Sequence, residues 1–295
     1  MTLPATSAVG TTRWYRLRFS KLGKIRFTSH RDVARMWERA LRRARLPVAL
    51  TMGFRPRPRL SFGLALSTGH ESMAEYLDVE LIEPSGGGAP LDAAGLPDRL
   101  SCELPAGIDV LAAAVLNPGQ PSLQEAVRSC SWLIEAVDVE PDRADRMISA
   151  ALAAGELIVR RQRKGREVID DLRPAILAVS VVGPTPGGTE LEAELAVHPR
   201  SVRPTELLAA LGPGLIEGPV CRTAQWIWRD GLREEPLPAA VELPASRAPH
   251  AAACATRRDQ LDVRQRTREA RSPASLEPSS PSAVALARGA PASGG

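Results

Sequence analysis

The stretch RWYRLRFSKLGKIRFTSHRDVARMWERALRRARLPVALTMGFRPRPRLSFGLALSTGHES, residues 13–72, decides how the rest of the chain is read. Its first residues alternate, with Tyr15, Leu17 and Phe19 to one side and Trp14, Arg16 and Arg18 to the other. A period of two marks a strand with one apolar face, and the second face is expected to be basic and outward. A glycine-containing turn at residues 21–24 follows. Ser29 is then placed to cap a helix, with Asp32 three residues on as its capping-box partner.

That helix is expected from His30 to about Arg45, with Val33, Met36, Trp37, Ala40, Leu41 and Ala44 as its apolar stripe. The opposite face carries Arg31, Arg35, Arg39, Arg42 and Arg43. Pro47 ends the helix, and Val48–Met52 reads as a brief strand. Pro56 and Pro58 then hold the segment from Gly53 to Arg59 extended, because each ring fixes φ and restricts the residue before it. Arg55, Arg57 and Arg59 should therefore point the same way, about 6–7 Å apart.

Working outward, Leu60–Leu66 and Ala74–Ile82 read as strands, Leu91–Leu100 as a weak helix and Ile108–Leu116 as a strand. This is the β-α-β-β-α-β order of a ferredoxin-like unit. Beyond Asn117-Pro118-Gly119 the order recurs, with an extra hairpin turning at Lys164-Gly165, a helix at Pro204–Leu211 and a closing strand at Val220–Arg229. The predicted class is α+β: two tandem ferredoxin-like modules, residues 13–118 and 128–232. They lie between a frayed N-terminus (1–12) and a tail (235–295) too poor in large apolar residues to offset its chain entropy, and so disordered.

Charge is unevenly divided. Residues 13–59 hold 15 Lys or Arg against Asp32 and Glu38, a balance of +13, while the rest of the 295-residue chain is −9 and the total is +4. Such an asymmetry points to a polyanion or an acidic partner at the N-terminal end. Eight of the 11 aromatic residues fall between Trp14 and Tyr76. Phe19, Trp37, Phe62 and Tyr76 belong to apolar faces, which leaves Trp14 and Phe54 as candidates to stack on bases.

The four cysteines are at least 28 residues apart and the four histidines equally scattered, so neither a metal site nor any other cofactor is expected. No apolar run reaches membrane-spanning length and no signal-peptide pattern opens the chain, so a cytoplasmic protein with no membrane partner is expected.

The segment from Arg16 to Leu81 carries three specific patterns: Arg-Phe-x-Ser-His-x-Asp ending at Asp32, Gly-Phe-x-Pro-x-Pro-x-x-Ser-Phe-Gly over Gly53–Gly63, and Gly69–Ser72 followed by Glu75-Tyr76-Leu77-Asp78. In these it resembles the radical SAM-linked proteins of unknown function, in their standalone form. The resemblance implies an accessory protein whose partner is RNA or a radical SAM enzyme. The Cys-x3-Cys-x2-Cys pattern that such an enzyme needs is missing from this chain, so the enzyme would act in trans.

The leading expectation is a non-catalytic RNA-binding accessory protein serving a radical SAM or RNA-processing enzyme. Arg16, Arg18, Arg35, Arg39, Arg42, Arg55, Arg57 and Arg59 would grip phosphates, and Trp14 and Phe54 would supply stacking. Two alternatives stand beside it. One is a metal-free endoribonuclease with His30 as its base; the other is a protein–protein adaptor for a radical SAM enzyme.

Overall fold

The interior of this molecule is arranged around one large sheet, because the two predicted halves meet edge to edge. A computed structural model describes residues 11–84, 91–163, 165–229 and 231–237. All lie in the first of two units, residues 1–255, into which the chain divides. The elements in order are β1 (Thr12–Lys21), α1 (His30–Arg43), β2 (Leu60–Phe62), β3 (Glu71–Ile82), α2 (Leu96–Ser101), β4 (Val110–Val115), α3 (Leu123–Ala126), β5 (Val127–Val137) and α4 (Pro141–Ala153). They continue with β6 (Ile158–Arg163), β7 (Arg166–Asp171), β8 (Ile176–Thr185), β9 (Gly188–Ala196), α5 (Pro204–Leu211), β10 (Ile216–Arg229) and β11 (Leu232–Glu234). The class is mixed α+β, with a large, mostly stranded sheet and few helices.

The sheet runs β4-β1-β3-β10-β5-β9-β8, with β2 on β3 and β11 on β10; β6 and β7 form a separate hairpin. The halves join where β10 meets β3 in parallel, Cys221 beside Glu71 and Arg222 beside Ser72. One apolar cluster lies between β1, β3 and helices α1 and α2, built on Tyr15, Leu17, Phe19, Trp37, Leu41 and Leu77. The other joins β5, β8 and β9 to α4 and α5 through Ile134, Ile148, Leu191 and Leu207, and it also takes in Tyr76 of β3.

Helix α1 begins where the sequence placed it. The Ser29 hydroxyl accepts from the Asp32 N–H and donates to the Asp32 carboxylate at 2.7 Å, and Val33, Trp37, Ala40 and Leu41 are buried. Helix α5 matches its expected bounds. The expected strand at Val48–Met52 is reduced to two isolated bridges, Val48 to Leu81 and Leu50 to Pro58. The expected strand from Leu60 keeps only three residues.

The second face of β1 requires a correction. Arg16 and Arg18 are not outward: they are 3% and 1% exposed. The cause is register. Arg16 lies directly across from Asp78 on β3, and its guanidinium engages that carboxylate through two hydrogen bonds of 2.8 Å. Arg18 reaches Glu235 at 2.6 Å and the Leu237 carbonyl at 3.3 Å. Glu235 and Leu237 were assigned to the disordered tail, yet they pack on this sheet face, where Leu237 also accepts from the Tyr76 hydroxyl. The remainder of that predicted tail, residues 238–295, and of the frayed N-terminus, residues 1–10, lies outside the described residues. No helix among the described residues is long and apolar enough to cross a membrane.

Candidate functional site

Between α1 and β2 the chain makes a hairpin that stands off the sheet. Ala49 donates to the Glu80 carbonyl and Arg59 to the Ala49 carbonyl, which fixes the base. At the tip Thr51 donates to the Arg57 carbonyl at 2.8 Å, and Arg57 returns a bond to the Thr51 hydroxyl at 3.0 Å. Pro56 and Pro58 have no N–H to give, so the strand ladder stops here and the loop bulges outward. Met52 and Phe54 are fully exposed, at 99% and 106%, and Arg55 and Arg57 beside them are exposed too. Among the described residues neither arginine has an ion pair. Two large apolar side chains held in water at a loop tip mark a contact surface better than a scattered surface leucine does.

The predicted arginine row is broken at its third member. Arg59 pairs with Glu80 at 2.6 Å and lies over the Trp14 ring at 5.5 Å. Trp14 is therefore half-covered by a neighbour and does not stand free for stacking. On α1, Arg31, Arg35, Arg39 and Arg42 are exposed. Arg35 makes a long, solvated pair with Asp32 at 3.4 Å, and Arg43 meets Glu103 at 3.1 Å. Helix α1 packs on the Tyr15–Leu17–Phe19 side of the sheet, whereas Arg16 and Arg18 point to the other side. The expected single cationic ridge is thus divided: the free cations belong to α1 and the hairpin tip. At the hairpin expected to turn at Lys164-Gly165, Arg160 and Arg161 pair with Glu167 and Asp170, and Lys164 lies outside the described residues.

A second feature gathers the motif segments. An open groove of about 490 Å³ runs along residues 60–65, with His30 and Gln124 on its flanks. His30, Phe62, Gly63 and Leu64 also line an inner cavity of about 20 Å³, whose walls include Lys21 and Glu75. That inner space is the size of one water molecule. The His30 and Phe62 rings meet edge to face, 5.0 Å apart and 78° inclined.

Behind the cavity sits a buried charge cluster that sequence reasoning missed. Lys21 is buried, and its ammonium donates to the carbonyls of Arg26 and Thr28 at 3.3 and 3.2 Å. Burial is the chief influence on it and lowers its proton affinity; the Glu75 charge opposes this and the Arg222 charge adds to it. Arg222 binds the Glu75 carboxylate at 2.5 Å and the Leu64 carbonyl at 2.9 Å, with Trp132 5.5 Å beneath its guanidinium. Burial also pushes the Cys130 thiol up to about 11, so it is no nucleophile at neutral pH. The only local hint of this cluster was the acidic residue in the Glu75-Tyr76-Leu77-Asp78 pattern. Its cation comes from β10, 147 residues away.

His70 is buried as well, its Nε2 2.9 Å from Glu217, which also accepts from the Thr205 hydroxyl at 2.7 Å. Burial acts against ionisation of Glu217, but the hydrogen bonds from His70 and Thr205 and the His70 charge outweigh it. The carboxyl is held below its ordinary value of 4.5. A depressed carboxyl stabilises the fold above its unfolded-state value, and that contribution is lost as pH falls through the lower folded-state value. The Glu217→Gln protein should therefore show a flatter acid limb below pH 4.5 in a urea-unfolding series. An unchanged limb would mean that the bonds to Glu217 do not survive in solution.

The family described as an uncharacterized protein conserved in bacteria (DUF2344) matches residues 14–204. The chain belongs to this family. The DUF2344 match spans the hairpin tip, the groove, Lys21, Glu75 and His70; Glu217, Arg222 and Glu235 lie beyond it. No curated protein matches the chain. Among solved structures, the crystal structure of an unknown protein from Galdieria sulphuraria is similar at 14% identity, covering 68% of this chain and 88% of that one, with a TM-score of 0.21.

Proposed function

We propose that this protein is a non-catalytic RNA-binding accessory protein, acting in the cytoplasm beside a separate radical SAM or RNA-processing enzyme. The observation that carries the RNA reading is the hairpin tip. Phe54 stands fully in water between a proline-stiffened backbone and two arginines without carboxylate partners among the described residues. A ring with a free face and flanking guanidinium groups is the combination that holds an unpaired strand, stacking on bases and gripping phosphates. The exposed arginines of α1, which feeds the hairpin, extend the positive field. The enzyme partner is inferred only from the likeness of residues 16–81 to radical SAM-linked proteins.

We read the scaffold as two ferredoxin-like modules fused through β3 and β10. Supporting this, the strand order is β4-β1-β3-β2 in the first half and β10-β5-β9-β8 in the second, the same order twice. The non-catalytic form is preferred over an endoribonuclease because the His30 ring packs on Phe62, and among the described residues no carboxylate is bonded to it to orient a base.

Filter binding of labelled single-stranded RNA across a salt series tests the reading. Neutralising about four phosphates gives a slope of roughly −3 in log K against log salt, at about −0.7 per phosphate. A slope near zero would remove the phosphate grip and leave the adaptor reading in its place.

A further inference from the structure

We infer that the groove beside His30 takes one unstacked base of the bound RNA strand, laid against the His30 ring and held along the outer edge of β2. The inference rests on the RNA reading above and gives its strand a second, base-contacting site away from the hairpin tip.

Size comes first. About 490 Å³ lies within the range of small-molecule sites, and the groove is open to solvent along residues 60–65. Its lining is mixed: the aromatic residues His30 and Phe62, the apolar Leu60 and Leu64, and the polar Ser61 and Gln124. The two rings meet edge to face, an arrangement that occupies at most one of their four faces. His30 is exposed, so a ring face remains for a third aromatic plane.

The backbone supplies the polar contacts. Arg59 accepts from the Glu80 N–H and Gly63 donates to the Tyr76 carbonyl, so residues 59, 61 and 63 turn their backbone groups toward β3. By the alternation of an antiparallel pair, Leu60 and Phe62 turn theirs away from β3. The Phe62 carbonyl already accepts from the Gln124 amide at 2.8 Å, so an amide group can dock there. That same bond argues against an extended peptide as the occupant. It covers one of the two outward carbonyls of this three-residue strand, which an added strand would need free. A base needs only a few donors and acceptors at its rim and two apolar faces, which this groove offers.

Continuity with the tip supports the same strand reaching both places. From Arg57 to Leu60 the chain advances about 10 Å at the rise of extended backbone, within reach of neighbouring nucleotides.

The test uses the full chain and fluorescence anisotropy with oligouridine, intact or carrying one abasic position stepped along its length. With the unaltered protein, two abasic positions should each weaken binding about tenfold, the size of one lost stacked base: one facing Phe54 at the tip and one facing the groove. In His30→Ala, intact RNA should bind about tenfold more weakly, and the abasic penalty should vanish at one of the two positions, the one that Phe54→Ala leaves in place. His30→Phe should restore the unaltered behaviour, which a merely structural His30 would not. Arg57→Ala should weaken intact and abasic RNA equally. If both abasic penalties persist undiminished in His30→Ala, or if Phe54→Ala removes every abasic penalty, the groove holds no base and the inference falls while the RNA reading stands. If no abasic position matters, the groove holds no base and Phe54 stacks none either, so that only the phosphate grip of the RNA reading is left. If intact RNA fails to bind in a salt-dependent way, the underlying reading fails first.

Discussion

Arg222→Met should lower the unfolding free energy by about 3–5 kcal/mol, the size expected when one member of a buried ion pair is removed. Arg222 is 1% exposed and stands where β10 meets β3. Its guanidinium satisfies both the Glu75 carboxylate and the Leu64 carbonyl. Removing it strands a carboxylate whose side chain is only 12% exposed and an acceptor at the end of the groove wall. Burial opposes the charge on this arginine, but the Glu75 carboxylate beside it outweighs that and raises its proton affinity; the pair is held by mutual charge. Lys21 also feels the charges of this cluster, and it is committed to two backbone carbonyls. The double variant Arg222→Met with Glu75→Leu should recover much of the loss, because both buried charges are then gone. Urea unfolding followed by circular dichroism measures both. A loss under about 1 kcal/mol for the single variant would show that water reaches the pair, since solvated ion pairs contribute only that much.

The cluster around Arg222 also shows where local sequence stops being informative. Helix α1 could be read residue by residue, because a cap, a stripe and a proline all act within a few positions. The exposure of Phe54, Arg55 and Arg57 was legible for the same reason: two prolines forbid the pairing that would bury them. The fate of Arg16 and Arg18 was not. Alternation shows that a strand has two faces, but which face meets water depends on the partner strand. Asp78 lies 62 positions away and Glu235 lies 217 away, and each neutralises an arginine that local charge counting had assigned to a phosphate. The same holds for the groove. Lys21 of β1, His30 of α1, Phe62 of β2 and Glu75 of β3 come from four elements, and only tertiary packing brings them to the inner cavity beside it. Phe62 illustrates the middle case, assigned to the core from its apolar face yet half-buried on the groove wall.

The triple variant Phe54→Ala, Arg55→Ala, Arg57→Ala should weaken single-stranded RNA binding by a hundredfold or more while leaving the unfolding midpoint unchanged. Two lost charged contacts at about 1 kcal/mol or more each, and one lost stacking ring at about 1–3 kcal/mol, together exceed the 2.8 kcal/mol that a hundredfold represents. Stability should not follow, because all three side chains are exposed and the tip is closed by the Thr51 and Arg57 backbones, which alanine retains. The salt dependence separates the two contributions. Losing two phosphate contacts should make the slope of log K against log salt shallower by about 1.4, whereas Phe54→Ala alone should lower affinity and leave the slope as it was. The control is Arg16→Met: its guanidinium is spent on Asp78 and out of solvent, so that variant should cost stability and leave the salt slope untouched. If instead Arg16→Met flattened the salt slope and the tip variant did not, the RNA-facing surface would be the sheet face under Glu235 and Leu237, and the hairpin would lose its assigned role.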